Sequence, residues 1–323
     1  MVDARHPWRR WLVAAALLLH GSCGWTQAYP SKPLQLVVAF APGGAGDIVA
    51  RLVARKMGEG LGQPVVVDNR PVPLAAVSLV KNARPDGHTL LMAGSGTALS
   101  SALFVQLPYD LMADFVHVST LAAFDLALLV DPASPFHSVD QVLAHARAHP
   151  GRLNIGTVRI GSTQNLAAEM FKSMAGIDVL IVPFKNSGDI VSALRSRDID
   201  LGIEMLPAVL GQLGNQSLKA LALTSSARHP GLPQVPTLAE RALPGFEASS
   251  WNGIAVPAGT PPAVVDRLAR EIARAVESPE VQKALLAQGV TARASSPAQM
   301  TERMRGDIAK WRAVIDKAGI ARQ

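Results

Sequence analysis

The sequence predicts an α/β protein of two lobes, joined by two chain crossings that form a hinge beside a cleft. Short β-rich runs alternate with helical patterns in two separate sets, as parallel strands linked by helical crossovers do. Two extended segments, 116–130 and 249–256, fit strands that leave one set and enter the other. The 323 residues are 49% hydrophobic and 17% charged, enough for two cores and too apolar for disorder.

The first set opens after an export segment. Arg5, Arg9 and Arg10 precede the apolar run Trp11 to Leu19, and Thr26-Gln27-Ala28 carries small residues suited to a signal peptidase. Residues 1–28 therefore read as a signal peptide cleaved after Ala28. Cys23 offers a lipoprotein acceptor as the alternative, although His20 stands where a Leu-like residue is usual, and Arg9-Arg10 partly fits twin-arginine export. The chain holds one cysteine, so cleavage at Ala28 leaves none for disulfides, thiolate metal sites or nucleophilic chemistry.

In the first set, Leu34 to Phe40 reads as a strand, Asp47 to Leu61 as a helix, and Val65 to Asp68 and Thr89 to Ala93 as further strands. The second set comprises strands at Leu153 to Gly156, Val179 to Val182, Ile199 to Ile203 and Ala220 to Thr224, with helices at Gln164 to Ala175 and Ser187 to Arg195. Three C-terminal helices begin near prolines at 261, 279 and 297, where the missing N–H costs nothing. They are expected to pack back on the first lobe.

Candidate binding residues sit where strands hand over to helices. The loop Phe40-Ala41-Pro42-Gly43-Gly44-Ala45-Gly46-Asp47 combines three glycines with a helix start, a backbone N–H cradle for a carboxylate or phosphate. It equally fits a tight βα turn with Asp47 as N-cap. It lacks the Walker and dinucleotide-binding spacings. Gly161-Ser162-Thr163-Gln164-Asn165 forms a counterpart in the second set, and Gly94-Ser95-Gly96-Thr97 a third small-residue turn. Such turns at the carboxyl ends of strands are where open α/β sheets bind ligands. Glu204 follows a strand and either reaches the cleft or lies on a surface loop. Lys185 either counters a ligand anion or is solvated. Trp251 either packs the crossing or stacks on a ligand.

Catalytic and metal patterns fail. Ser95 and Ser162 do not match a nucleophile elbow. His145 and His149 share a helix face, but Ala146 stands where a zinc protease needs Glu. The formal charge of +6 is spread along helices without interleaved aromatics, which argues against nucleic acid. No catalytic residues, metal or cofactor are expected.

The residues resemble a known family. Tyr29-Pro30-Ser31-Lys32-Pro33, Pro42-Gly43-Gly44 with Asp47 and Arg51, Asp68-Asn69-Arg70-Pro71, Pro85-Asp86-Gly87-His88-Thr89-Leu90-Leu91, Val182-Pro183-Phe184-Lys185 and Leu243-Pro244-Gly245-Phe246 are similar to the Bug-type substrate-binding proteins, the TctC family of tripartite tricarboxylate transporters. The resemblance implies a type II-like Venus-flytrap fold, with lobe 1 at 29–131 plus 250–323 and lobe 2 at 132–249. It implies a periplasmic monomer that captures a small organic anion and delivers it to a membrane permease, or, as an alternative, signals to a sensor kinase. An exported hydrolase or isomerase using Glu204 or His88 is the reading from another class. Carried over, the ligand residues are the loop Phe40 to Asp47 and the segment Gly161 to Asn165, with Ser95, Thr97, Phe184, Lys185, Asn186 and Glu204 shaping the rest. Three departures stand out: Val72-Pro73-Leu74-Ala75-Ala76 replaces a Gly-rich stretch, Asn165 and Asn186 stand where His and Gly are common, and Glu204 where Asp is frequent.

Overall fold

The computed structural model describes residues 29–323; the segment read as a signal peptide, including Cys23, lies outside them. Strands β1 (Leu34–Val38), β2 (Val65–Asn69) and β3 (Thr89–Gly94) pair in parallel in the order β2-β1-β3. Their alternation decides the faces. Leu34, Leu36 and Val38 enter a core beneath α1 (Ala45–Leu61), whereas Val37 joins Leu91 and Ala93 in a core on the other face under α2 (Pro73–Lys81). Helix α1 buries Val49, Val53, Met57 and Leu61 at helical spacing, and its last turn closes on Gly62 in the left-handed conformation. Helix α3 (Ser95–Leu103) follows β3 directly.

Strand β4 (Phe115–Val130) is the first crossing. Its sixteen residues extend about 50 Å at the usual rise per residue. Phe115 to Asp125 pair with β9 (Ser249–Pro257), which in turn pairs with β3, while Leu126 to Val130 pair with β7 (Leu201–Met205) and β8 (Lys219–Leu223). The second sheet is completed by β5 (Asn154–Val158), lying between β7 and β6 (Leu180–Phe184). Helices α4 (Val139–Ala148), α5 (Thr163–Ala175), α6 (Ser187–Ser196), α7 (Leu206–Gly214) and the short α8 (Leu238–Arg241) accompany it. The chain returns to the first sheet at the start of β9: Ala248 still lies in the second core and donates its N–H to Thr224, and Ser249 pairs with Asp125.

Helices α9 (Pro262–Val276) and α10 (Pro279–Leu286) pack on the first sheet through Leu268, Ile272, Val281 and Leu285, and β10 (Thr291–Ala292) adds to β4. The last helix, α11 (Pro297–Lys317), begins there with Met300 and Met304 and then continues across the crossing, inserting Trp311 and Ile315 into the second core. It thus splints both crossings. Trp251 is fully buried in β9; its indole N–H donates to Asp307 of α11 at 2.7 Å, so its size serves packing rather than ligand stacking. Among the described residues no helix is long and apolar enough to cross a membrane.

Candidate functional site

The first loop is held by its own acid. Gly43 adopts φ 89° and Gly44 caps α1 in an extended conformation, so Asp47 occupies the third helical position and is not the N-cap. From there its buried carboxylate reaches back, accepting from the Gly43 N–H (3.0 Å), Arg51 Nε (2.9 Å) and Asn69 Nδ2 (2.9 Å). Burial alone would raise its pKa, but bonds from Arg51, Gly43 and Asn69, with the Arg51 charge, outweigh it and hold the group below the usual carboxylate range. The Gly43 N–H is therefore committed to the loop. The N–H groups of the first helical turn have no intrahelical acceptors, and Pro42, Gly43 and Gly44 stand exposed. A side chain at Gly44 would meet open space, whereas one at Gly46 would strike the Phe40 ring at 2.6 Å. Gly46 is thus required by close approach, with Ala45 beside it at the helix start.

The second loop repeats the device. Gly161 has φ 75°, Ser162 caps α5, and Asn165 at the third helical position accepts the Gly161 N–H at 3.0 Å. The Ser162 hydroxyl accepts the Asn165 N–H at 3.1 Å, and Thr163 is buried at the first helical position. Asp47 and Asn165 are equivalent straps, each tying a left-handed glycine four residues upstream. The departure from a common His at 165 leaves a side chain whose oxygen suits this role.

Both sheets contribute to one cavity of about 580 Å³. Phe40, Gly94, Gly96 and Thr97 line it from the first sheet, and Arg159, Ile160 and Gly161 from the second. Of the expected residues, Phe40, Thr97 and Gly161 thus come together, flanked by their loops. Ser95 is fully buried and its hydroxyl accepts the Trp251 N–H at 2.9 Å; Thr97 exchanges hydrogen bonds with the Gly94 backbone. Phe184 packs over Gly156, the exposed Lys185 lies outside the cavity lining, and Asn186 caps α6 by accepting the Asp189 N–H.

Glu204 is inside β7 and wholly buried, not on a surface loop. Its Oε1 accepts from Gln164 Nε2 (2.7 Å) at the start of α5 and from the Met205 N–H (2.6 Å), while Oε2 has no partner. An acceptor left unpaired in a buried site is costly, so this oxygen suits a donor such as a buried water; Glu204 is not among the residues lining the cavity. At the crossing, burial pushes the Asp125 carboxyl up to about 6, against a Ser225 hydrogen bond, with Glu247 raising it further and Arg303 lowering it.

Sequence reasoning missed Arg159, Tyr109 and Asn252, which also line the cavity. Arg159 was findable, since it immediately precedes the Ile160-Gly161 turn. Tyr109 and Asn252 arrive only through tertiary packing.

The matching family model is the tripartite tricarboxylate transporter family receptor, over residues 49–320. BugT of Bordetella pertussis is 35% identical over 295 residues, 90% of each chain. A TctC solute-binding protein from Polaromonas superposes with TM-score 0.80 at 26% identity, covering 90% of this chain and 99% of the other. A protein of R. palustris, Rpa4515 with adipate, superposes with TM-score 0.75 at 33% identity, covering 91% and 99%. With two facing strand-to-helix loops on a two-lobed frame, the chain belongs to the TctC family of tripartite tricarboxylate transporter receptors: a Bug-type periplasmic solute-binding protein and not an enzyme.

Proposed function

We propose that this receptor captures a small organic anion between its lobes, 29–131 with 250–323 and 132–249, and hands it to the permease of a tripartite tricarboxylate-type transporter. The observation that carries the reading is a cavity lined by strand-to-helix turns from both sheets. Unsatisfied helix-start N–H groups and Arg159 make its surroundings favourable to a carboxylate. The relative that is 33% identical, with adipate, supports a carboxylate ligand. Closure covers polar groups that only a ligand satisfies, so the ligand supplies the differential free energy that favours the closed form. In this reading Phe40 to Asp47 and Gly161 to Asn165 form the two jaws, and Glu204 with Gln164 receives a donor from a buried water.

A thermal-shift screen of carboxylates, amino acids and aromatic acids tests this. A true ligand at about a hundred times its dissociation constant stabilises by about 2.7 kcal/mol. No shift with any organic acid would refute the proposal.

A further inference from the structure

We infer that the cavity selects a monocarboxylate with a ring-sized apolar body over short dicarboxylates, an inference that rests on the carboxylate-receptor reading above. Arg159 is the one charged side chain among the lining residues. Arg159 and the helix-start N–H groups favour a carboxylate at one end, whereas a second carboxylate placed against Val72, Leu74 and Leu103 would lose its water to apolar side chains. Those walls are apolar: Val72 and Leu74 on one side, Leu103, Phe104 and Tyr109 beyond them, and Ile160 from the second lobe. Val72 and Ile160 are each 61% exposed, large branched side chains facing a cleft with nothing yet covering them. An apolar ligand body that removes them from water gains free energy in proportion to the area covered.

The segment that departs from the family pattern builds this wall. Pro73 occupies the first turn of α2, which its fixed φ favours. Ala76, Val77 and Val80 then anchor that helix in the core. Val72 and Leu74 are therefore set by a packed helix rather than by a pliable glycine run. The lobes approach closely here, since a Cβ on Gly161 would lie 3.0 Å from Leu103. A cavity of about 580 Å³ readily holds a six-membered ring with its carboxylate, within the size range of ordinary small-molecule sites.

Calorimetry on the mature chain with benzoate, cyclohexanecarboxylate, succinate and adipate tests the inference. The expected result is binding of at least one ring acid at least tenfold tighter than either dicarboxylate. The double variant Val72→Ser/Leu74→Ser should weaken ring acids at least tenfold while changing dicarboxylate affinity less than threefold. Ile160→Ser, at an exposed position that folding does not need, should act in the same direction if the double variant fails to fold. Succinate or adipate binding as tightly as the ring acids, or ring-acid affinity unmoved by these changes, overturns the inference and leaves the receptor reading intact. Absence of binding by all four acids, together with no shift in the wider screen, overturns both.

Discussion

Replacing Asp47 with Ala removes the strap of the first loop, and its cost follows from the contacts. Gly43 and Asn69 each donate to a buried, charged acceptor, worth about 1.5 kcal/mol apiece at the low end for charged hydrogen bonds. The Arg51 side chain is 53% exposed, so solvent screening reduces that pair to about 0.5 kcal/mol. Asp47→Ala should therefore destabilise by about 3.5 kcal/mol. At the usual unfolding entropy per residue, a chain of this size should melt about 5 °C lower. The depressed pKa fixes the pH dependence. A carboxyl whose folded pKa lies below its unfolded value stabilises fully above about pH 4, and that contribution fades as pH falls through the folded value. Melting curves of wild type and variant should thus be well separated at pH 7 and converge in acid. A separation under 1 °C at pH 7, or one that widens as pH falls, would refute the assignment of Asp47 as the loop's strap.

Gly44→Val should fold normally, because Gly44 has φ −78° and open space around a new side chain, yet weaken ligand binding at least tenfold in calorimetry by filling the mouth of the first jaw. Asp125→Asn should stabilise the protein by about 2–3 kcal/mol above pH 6 and be neutral below about pH 4. Its carboxyl is raised to about 6 by burial, so the acid form fits the fold and the wild type loses stability as pH rises between those values; urea titrations across pH check the sign. Asp307→Ala should cost about 2 kcal/mol by leaving the buried Trp251 indole N–H unpaired, read as a lower urea midpoint with unchanged slope.

The alternation of β-rich and helical runs made the two sheets legible, because Leu34, Leu36 and Val38 against Val37 already encode a strand buried on both faces. The glycine-bearing loops were legible as helix starts for the same local reason. Helix α3 was not: Ser95-Gly96-Thr97 reads as a turn, and only packing turns both hydroxyls inward, onto Trp251 and Gly94. Glu204 was placed at a strand end, but its complete burial depends on Gln164, forty residues upstream, supplying a donor. Lys185 follows a strand end and fits either a counter-charge or a solvated side chain, and in the structure it is exposed outside the cavity lining; Asn186 came from resemblance alone and serves as a helix cap. The C-terminal helices read as packing back on lobe 1, and α9 and α10 do pack on the first sheet; that α11 runs on to the second core depends on Trp311 and Ile315 meeting a surface no local pattern specifies.

In the proposed receptor, a negatively charged solute is held whole between the two jaws. Native mass spectrometry of the mature protein incubated with a carboxylate that stabilises it in the thermal screen tests this most directly. The expected result is a one-to-one complex that releases the acid at its original mass and is lost when Arg159 is replaced by Gln. Recovery of a chemically altered acid, or a complex indifferent to Arg159→Gln and Gly44→Val alike, would contradict it.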